Sequence, residues 1–468
     1  MSITISGNNS LNQPLQNQIL INTKIDKRPI KLFEKCCLHK ALQNNQNKLK
    51  FYDLIRNNAP IDEQDEDGRT PLVIAIANNN LKAVDLLIKK NCNLNLAGKD
   101  NVTALDLAVD FRNEKVVKAL VKAGVKTDII DDEGFTPRSR ALALNYTELI
   151  KYLPDDINSK KIHFAKIAAN FIGMRYSLRL DKTNENSRKI DLEGFFEEIV
   201  CHIFETTLNQ INQSYNPLIN KIYDPLITPQ IANSFKNAQN IKVTDINLTM
   251  KRIKNNELVI IPTGWTGHIV TFVFYRNAMA ICNCGSGAYK NSFNNFGFLR
   301  FYPRKNLTIQ MLDSLIHKTV ENDISSRMKY LYSELPNELA CHQNAFTRKV
   351  EKTLNFKLQH WGNCPVKSNQ IALLFGQILI KRHFSRSNIP TDNWFDEQLQ
   401  MNRHFMTFAK ISSLQQYIKN VPSFAQDEYF IEAAVDRIAD HVSKHPDDPF
   451  NQPETISTIY RELQETKN

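Results

Sequence analysis

Three stretches of the chain recur at an interval of 33 residues: DEDGRTPLVIA from Asp65, GKDNVTALDLA from Gly98 and DDEGFTPRSRA from Asp131. A unit of that length is too short to bury its own apolar face, so the units must stack on one another to make a core. Thr70, Thr103 and Thr136 are each placed to cap a helix. Pro71 and Pro137 stand at the first helical position, where a missing N–H costs nothing. Two residues before each threonine come Gly68, Asn101 and Gly134, the residue types that best tolerate a left-handed backbone, so a tight turn is expected there. Apolar columns follow the same interval in the second helix of each unit. One holds Phe51, Val84, Val117 and Ile150, and the other Leu54, Leu87, Leu120 and Leu153.

The columns extend one unit toward the N-terminus, where CCLHKA from Cys36 supplies the first helix of a fourth unit. A 33-residue helix–turn–helix unit carrying Asp67-Gly68-x-Thr70-Pro71-Leu72 resembles the ankyrin repeat, over residues 33–155. The resemblance implies a concave protein-binding face without chemistry of its own; a packing module that only supports the next domain is the alternative. It also marks Asn95, at the hairpin position, as a candidate for asparaginyl hydroxylation.

Beyond Pro154 the interval disappears. HFAKIAANFIGMRYSL and DLEGFFEEIVCHIFETTLNQINQ have helical periodicity, and the pattern then changes to period two. ELVIIP, HIVTFVFY from His268, AMAICN ending at Asn283 and FGFLRFYP are expected strands, the second and third joined by an Arg276-Asn277 turn. Helices are expected at LTIQMLDSLIHKTV, SSRMKYLYSEL, the segment after Cys364 and most of the chain from about residue 390. The expected fold class is an all-α ankyrin solenoid followed by an α+β domain with a small antiparallel sheet and a helical C-terminal region. The corresponding division is a polar segment 1–32, repeats 33–155, the α+β domain 156–385 and the C-terminal region 386–468.

Cys364 stands where a polar turn gives way to an apolar helix, and a helix N-terminus lowers a thiol pKa and offers N–H groups to an oxyanion. A thiol nucleophile needs a base and a group to orient that base. His268 begins one strand of an expected hairpin and Asn283 ends its partner, so the two can meet. Gln359 could bring a side-chain amide to the same site, and Trp265 and Trp361 could wall a substrate groove. A buried core thiol is the competing reading of Cys364, and His342, Gln343 and Asn344 form a competing polar cluster.

The order His, hairpin Asp or Asn, Gln, Cys resembles the clan CE cysteine peptidases, which include ubiquitin-like-protein proteases and YopJ-type acetyltransferases. The resemblance covers residues 255–380 and implies His268 as base, Asn283 as its orienter, Gln359 as oxyanion donor and Cys364 as nucleophile. The chain departs from the clan in having Ile269 after the histidine, Asn-Cys-Pro around the cysteine and an amide in place of the acidic orienter. Cys-His-Asn is chemically sound, as papain-like enzymes use it. Pro365 removes one backbone N–H near the hole.

The remaining classes are narrowed by composition. The 468 residues carry a net charge of +10, with Lys and Arg interspersed among Asp and Glu, which argues against nucleic acid as a direct ligand. Eight scattered cysteines fit a reducing compartment, and Cys282-x-Cys284 and Cys341-His342 lack zinc-site spacing, so no metal and no cofactor are expected. No basic-then-apolar N-terminus or run of ~18 apolar residues is present, so neither a cleaved signal peptide nor a membrane span is expected. A monomer is expected. Ankyrin repeats joined to a protease-like domain, with the polar tail PETISTIYRELQETKN, resemble the ankyrin effectors that Legionella delivers through its Dot/Icm type IV secretion system. That resemblance implies action on a host protein in the host cytoplasm or nucleus. Three functions stay open: a protease or deconjugating protease, a non-catalytic binding scaffold, and acyl transfer through the same thiol.

Overall fold

The computed structural model describes residues 35–43, 48–180, 189–192, 197–213, 224–241, 244–265, 268–282, 297–317, 327, 329–353, 364–384 and 391–446. Its N-terminal part is four helix pairs: α1 (Cys37–Gln43) with α2 (Lys48–Arg56), α3 (Pro71–Ala77) with α4 (Leu81–Lys89), α5 (Ala104–Asp110) with α6 (Glu114–Lys122), and α7 (Pro137–Ala143) with α8 (Thr147–Ile150). The capping threonines act as their spacing requires. Thr70 Oγ1 accepts from the Val73 N–H at 3.3 Å, Thr103 from Asp106 at 3.3 Å and Thr136 from Ser139 at 3.1 Å. The Asp106 carboxylate returns a bond to the Thr103 N–H at 2.9 Å, closing a capping box. Gly68, Asn101 and Gly134 have φ of 74°, 57° and 80°, the left-handed turn that their residue types allow.

The units are stitched by one bond repeated at the 33-residue interval. Asp62 Oδ1 accepts from the Asn93 N–H at 2.7 Å, and Asn95 Oδ1 from the Lys126 N–H at 2.8 Å. Asn95 is thus a ladder residue between hairpins. Of the second-helix columns, Phe51, Val84, Val117, Leu87, Leu120 and Leu153 are buried in a single cluster from Cys37 to Leu153, and Leu54 and Ile150 pack against it partly buried.

After the solenoid, α9 (Ile157–Ile172) is capped by Asp156, whose carboxylate accepts from the Ser159 N–H at 2.7 Å. It stops at Gly173, in the left-handed conformation at φ 76°, earlier than the helical periodicity through Leu178 suggested. Leu178 lies instead in β1 (Ser177–Arg179), which pairs with β2 (Lys189–Asp191). Asp191, expected at a helix start, therefore ends a strand, and the helix described next is α10 (Glu197–Gln213). The helices α11 (Thr228–Ala238) and α12 (Ile246–Lys254) follow. These were not anticipated, and neither was the β1–β2 hairpin.

The main sheet has four antiparallel strands in the order β3 (Val259–Trp265), β4 (His268–Tyr275), β5 (Ala278–Cys282) and β6 (Gly297–Phe301). Thr263, Gly264 and Trp265, which lie past the expected strand ELVIIP, belong to β3, because the ladder with β4 runs on to the pair Trp265↔His268. Pro262 is tolerated since β3 is an edge strand, where a missing donor breaks no second ladder. Helical structure resumes with α13 (Ile309–His317), a π-wound turn Tyr330–Glu334 leading into α14 (Leu335–Glu338), α15 (Ala345–Thr353), α16 (Cys364–Phe384), α17 (Asp392–Asn420) and α18 (Glu428–Ser443).

Both faces of the sheet are buried. Val270, Phe272 and Phe274 of β4 join a cluster with Met250 of α12 and Leu312 of α13. Val273 and Tyr275, with Cys282 of β5, join a larger one containing Leu374 and Ile378 of α16, Phe405 of α17 and Val435 of α18. That larger cluster also takes in Phe135 and Ala143 of the last repeat, so the solenoid and the α+β part share apolar packing.

The two left-handed glycines of the last repeats give a paired prediction. A Cβ on Gly124 (φ 81°) would meet nothing within 4 Å, whereas one on Gly134 (φ 80°) would overlap the Ile190 Cγ2 methyl of β2. Gly124→Ala should cost about 1 kcal/mol, the left-handed backbone penalty alone, and Gly134→Ala about 2–3 kcal/mol. Urea denaturation of the two variants would measure the gap, and equal costs would mean that β2 does not pack tightly on the last repeat.

Candidate functional site

Helix α16 lies along β4, and two buried contacts set how they run. Thr271 Oγ1 of β4 is 3.1 Å from Ser368 Oγ and 3.4 Å from Asn369 Oδ1 of α16. At the other end of both elements, Arg276 Nη2 is 2.7 Å from His383 Nε2, and the Tyr275 and His383 rings meet edge to face. Strand and helix therefore run the same way, and their first residues, His268 and Cys364, stand at one end of the layer. From Thr271 back to position 268 is three strand residues, roughly 10 Å; from Ser368 back to position 364 is four helical residues, roughly 6 Å. β5 reaches the same place, since Cys282 pairs directly opposite Thr271. Asn283 is the next residue in the chain.

Strand register and helix direction put the first residues of β4 and α16, His268 and Cys364, at the end of the layer where β5 stops. His268 and Trp265 face each other across the β3–β4 turn as a backbone pair, and Cys364 is the first residue of α16. Asn283, Gln359 and Trp361 lie outside the described residues, as do the side chains of Cys364, His268 and Trp265. The competing cluster falls elsewhere: His342 pairs with Phe301, which itself pairs with Ala278, at the far end of the sheet.

Thr271, Ser368 and Asn369 were not singled out from the sequence. The signal was available, as Thr271 is the polar break in HIVTFVFY and Ser368-Asn369 a polar pair at the head of an apolar helix. All three are fully buried, and a buried hydroxyl or amide must find a partner, which here crosses between strand and helix. Cys201 of α10 adds its thiol, 3.9 Å from Asn369 Oδ1.

Two other cysteines, Cys92 and Cys341, sit in environments that suppress thiolate. Burial pushes the Cys92 thiol up to about 12, with the Asp62 charge adding to it, and burial pushes Cys341 up to about 11. Among the described residues no group of three or more His, Cys, Asp or Glu could hold a metal ion, and no helix is long and apolar enough to cross a membrane.

Residues 38–131 match the family model for ankyrin repeats, in three copies. The helix pairs are ankyrin repeats. A fourth pair, α7 and α8, continues the array past the matched residues. The chain as a whole is similar to the solved structure of the Legionella effector AnkH, with a TM-score of 0.59 and 16% identity over 92% of each chain. At that identity the likeness is one of fold. No curated protein matches the sequence.

Proposed function

We propose that the chain is a bacterial effector acting in a host cell, in which the ankyrin array binds a host protein and a cysteine site carries out acyl chemistry on it. Cys364 is the nucleophile, His268 the base, Asn283 its orienter and Gln359 an oxyanion donor, in a protease or deconjugating protease. The observation that carries this reading is the convergence on Thr271: the start of β4, the end of β5 and the start of α16 lie at one end of the layer. A helix N-terminus there supplies the dipole and free N–H groups that such chemistry uses. Similarity in fold to a protein described as a Legionella effector supports the host setting; delivery by a type IV system and a cytoplasmic or nuclear site of action are part of the same proposal.

The alternation of β4 sets one condition. Val270, Phe272 and Phe274 face the cluster away from α16, and Thr271, Val273 and Tyr275 face toward it. Strict alternation assigns position 268 to the first set, so a thiol–imidazole pair requires the alternation to break before Val270. That condition favours a second reading, a scaffold that binds host protein and has a protease-like but inactive domain.

Labelling with an iodoacetamide probe separates the two. Under the catalytic reading Cys364 reacts at least about tenfold faster than Cys92 and Cys341, and His268→Ala removes the difference. Labelling of Cys364 that is as slow as theirs, or indifferent to His268→Ala, overturns it in favour of the scaffold.

A further inference from the structure

At the end of the sheet opposite Cys364 there is a cleft of about 440 Å³, lined by Tyr275, Arg276, Phe301, His342, Arg382 and His383 among others. Four separate pieces of chain build it: the β4–β5 turn, the end of β6 at Phe301, the His342–Asn344 segment bridged to it, and the last turns of α16. Among the described residues none that lines it is acidic, and no carboxylate pairs with Arg276 or Arg382.

Each guanidinium at the cleft wall is held by neighbouring rings. The Arg382 guanidinium lies 4.0 Å from the Phe346 ring centroid and 4.7 Å from that of Phe301. Aromatic rings against a guanidinium cover its faces and leave its N–H groups, which lie in the plane, to address a ligand edge-on. Arg276 donates to His383 Nε2 at 2.7 Å, so that imidazole nitrogen is the acceptor and Nδ1 carries the proton. Arg276 Nε is buried with no hydrogen-bond partner among the described residues. Arg276 also occupies the first position of a two-residue hairpin turn at φ 55°, a conformation that favours glycine. Nothing in the turn itself calls for an arginine.

We propose that this cleft binds a small phosphate-bearing ligand. Two guanidiniums and nearby imidazole and amide donors, converging without a carboxylate, match the several acceptor oxygens and double charge of a phosphate group better than a single carboxylate. The volume exceeds what one phosphate fills and is within the range of small-molecule sites, and Phe301 and Tyr275 supply an aromatic wall for an organic moiety. The site is separate from the proposed thiol chemistry: the 21 residues of α16 put roughly 30 Å between its two ends. It stands or falls without that reading.

The test is calorimetry and thermal shift on the full chain with pyrophosphate as probe, against sodium chloride at matched ionic strength. Pyrophosphate is expected to bind and to raise the melting temperature beyond the salt control. Arg276→Gly removes the guanidinium while relieving the turn, so this variant should fold at least as stably as the native chain and bind pyrophosphate at least about tenfold more weakly. Arg382→Met, which keeps the stacking volume, should lose affinity likewise. A melting shift no larger than the salt control, or unchanged affinity in both variants, overturns the proposal.

Discussion

On lowering the pH from 7 to 5, a His163→Leu variant is expected to gain about 2 kcal/mol in stability on the native chain. His163 is in α9, buried, and its Nδ1 has no hydrogen-bond partner among the described residues. Burial, helped by His202 nearby, pushes its pKa down to about 3 from an ordinary 6.5. Between those values the unfolded chain binds a proton that the folded chain refuses, so stability is full above pH 6.5 and is lost as the pH falls toward 3. His441 in α18, also pushed to about 3, adds to the loss. Asp106 opposes it: burial raises its pKa to about 6, so over the same window the folded state gains a proton and is favoured. The native chain alone would therefore report a difference of opposing effects. Comparing it with His163→Leu by urea denaturation at several pH values isolates the single group, and parallel pH profiles would show that His163 reaches water in the folded state.

Arg140→Met is expected to cost about 3–5 kcal/mol, most of which a second substitution, Asp131→Asn, should recover. Arg140 in α7 is paired with Asp131 and lies 2.9 Å from Glu133. The Asp131 side chain is 1% exposed and also accepts from the Phe135 N–H at 2.8 Å. Removing the guanidinium leaves a carboxylate buried without its cation, which is far costlier than losing the pair altogether. The site is the joint between the two halves of the molecule. The Phe135 ring lies 5.3 Å from the Arg140 guanidinium and 4.4 Å from Lys166 Nζ of α9. Lys166 in turn donates to the carbonyls of Glu133 and Asp191, both at 3.0 Å. Chemical denaturation of the single and double variants measures the effect; a single variant within 1 kcal/mol of native would mean that water enters the joint and solvates Asp131.

The array was legible because its determinants are local. Thr70, Thr103 and Thr136 cap helices by bonds spanning three residues, and the Gly68, Asn101 and Gly134 turns follow from backbone sterics at one position. The β4–β5 hairpin was legible in the same way, through two alternating runs around a two-residue turn. Where local signals conflicted, reading by pattern failed. The helical periodicity of HFAKIAANFIGMRYSL continued past Gly173, although a glycine in the left-handed conformation ends the helix, and Thr263–Trp265 carried loop-like residues that the ladder with β4 recruited into a strand. For the candidate site, the order of His268, Asn283, Gln359 and Cys364 suggested chemistry, but nothing in the order says which ends of which elements meet.

QHWGNCPVKSNQ and HIVTFVFY, read alone, specify a helix that begins at Cys364 and a strand that begins at His268, because capping and periodicity act within a few residues. Tertiary structure decided that the two run the same way and start at the same end. The contact responsible, Thr271 with Ser368, joins residues 97 apart, and its energy exists only once both elements have closed on a shared core. The same holds for the cleft at the opposite end, where Arg276 and Arg382 are ordinary surface-type residues in sequence and become neighbours only because strand and helix are laid side by side.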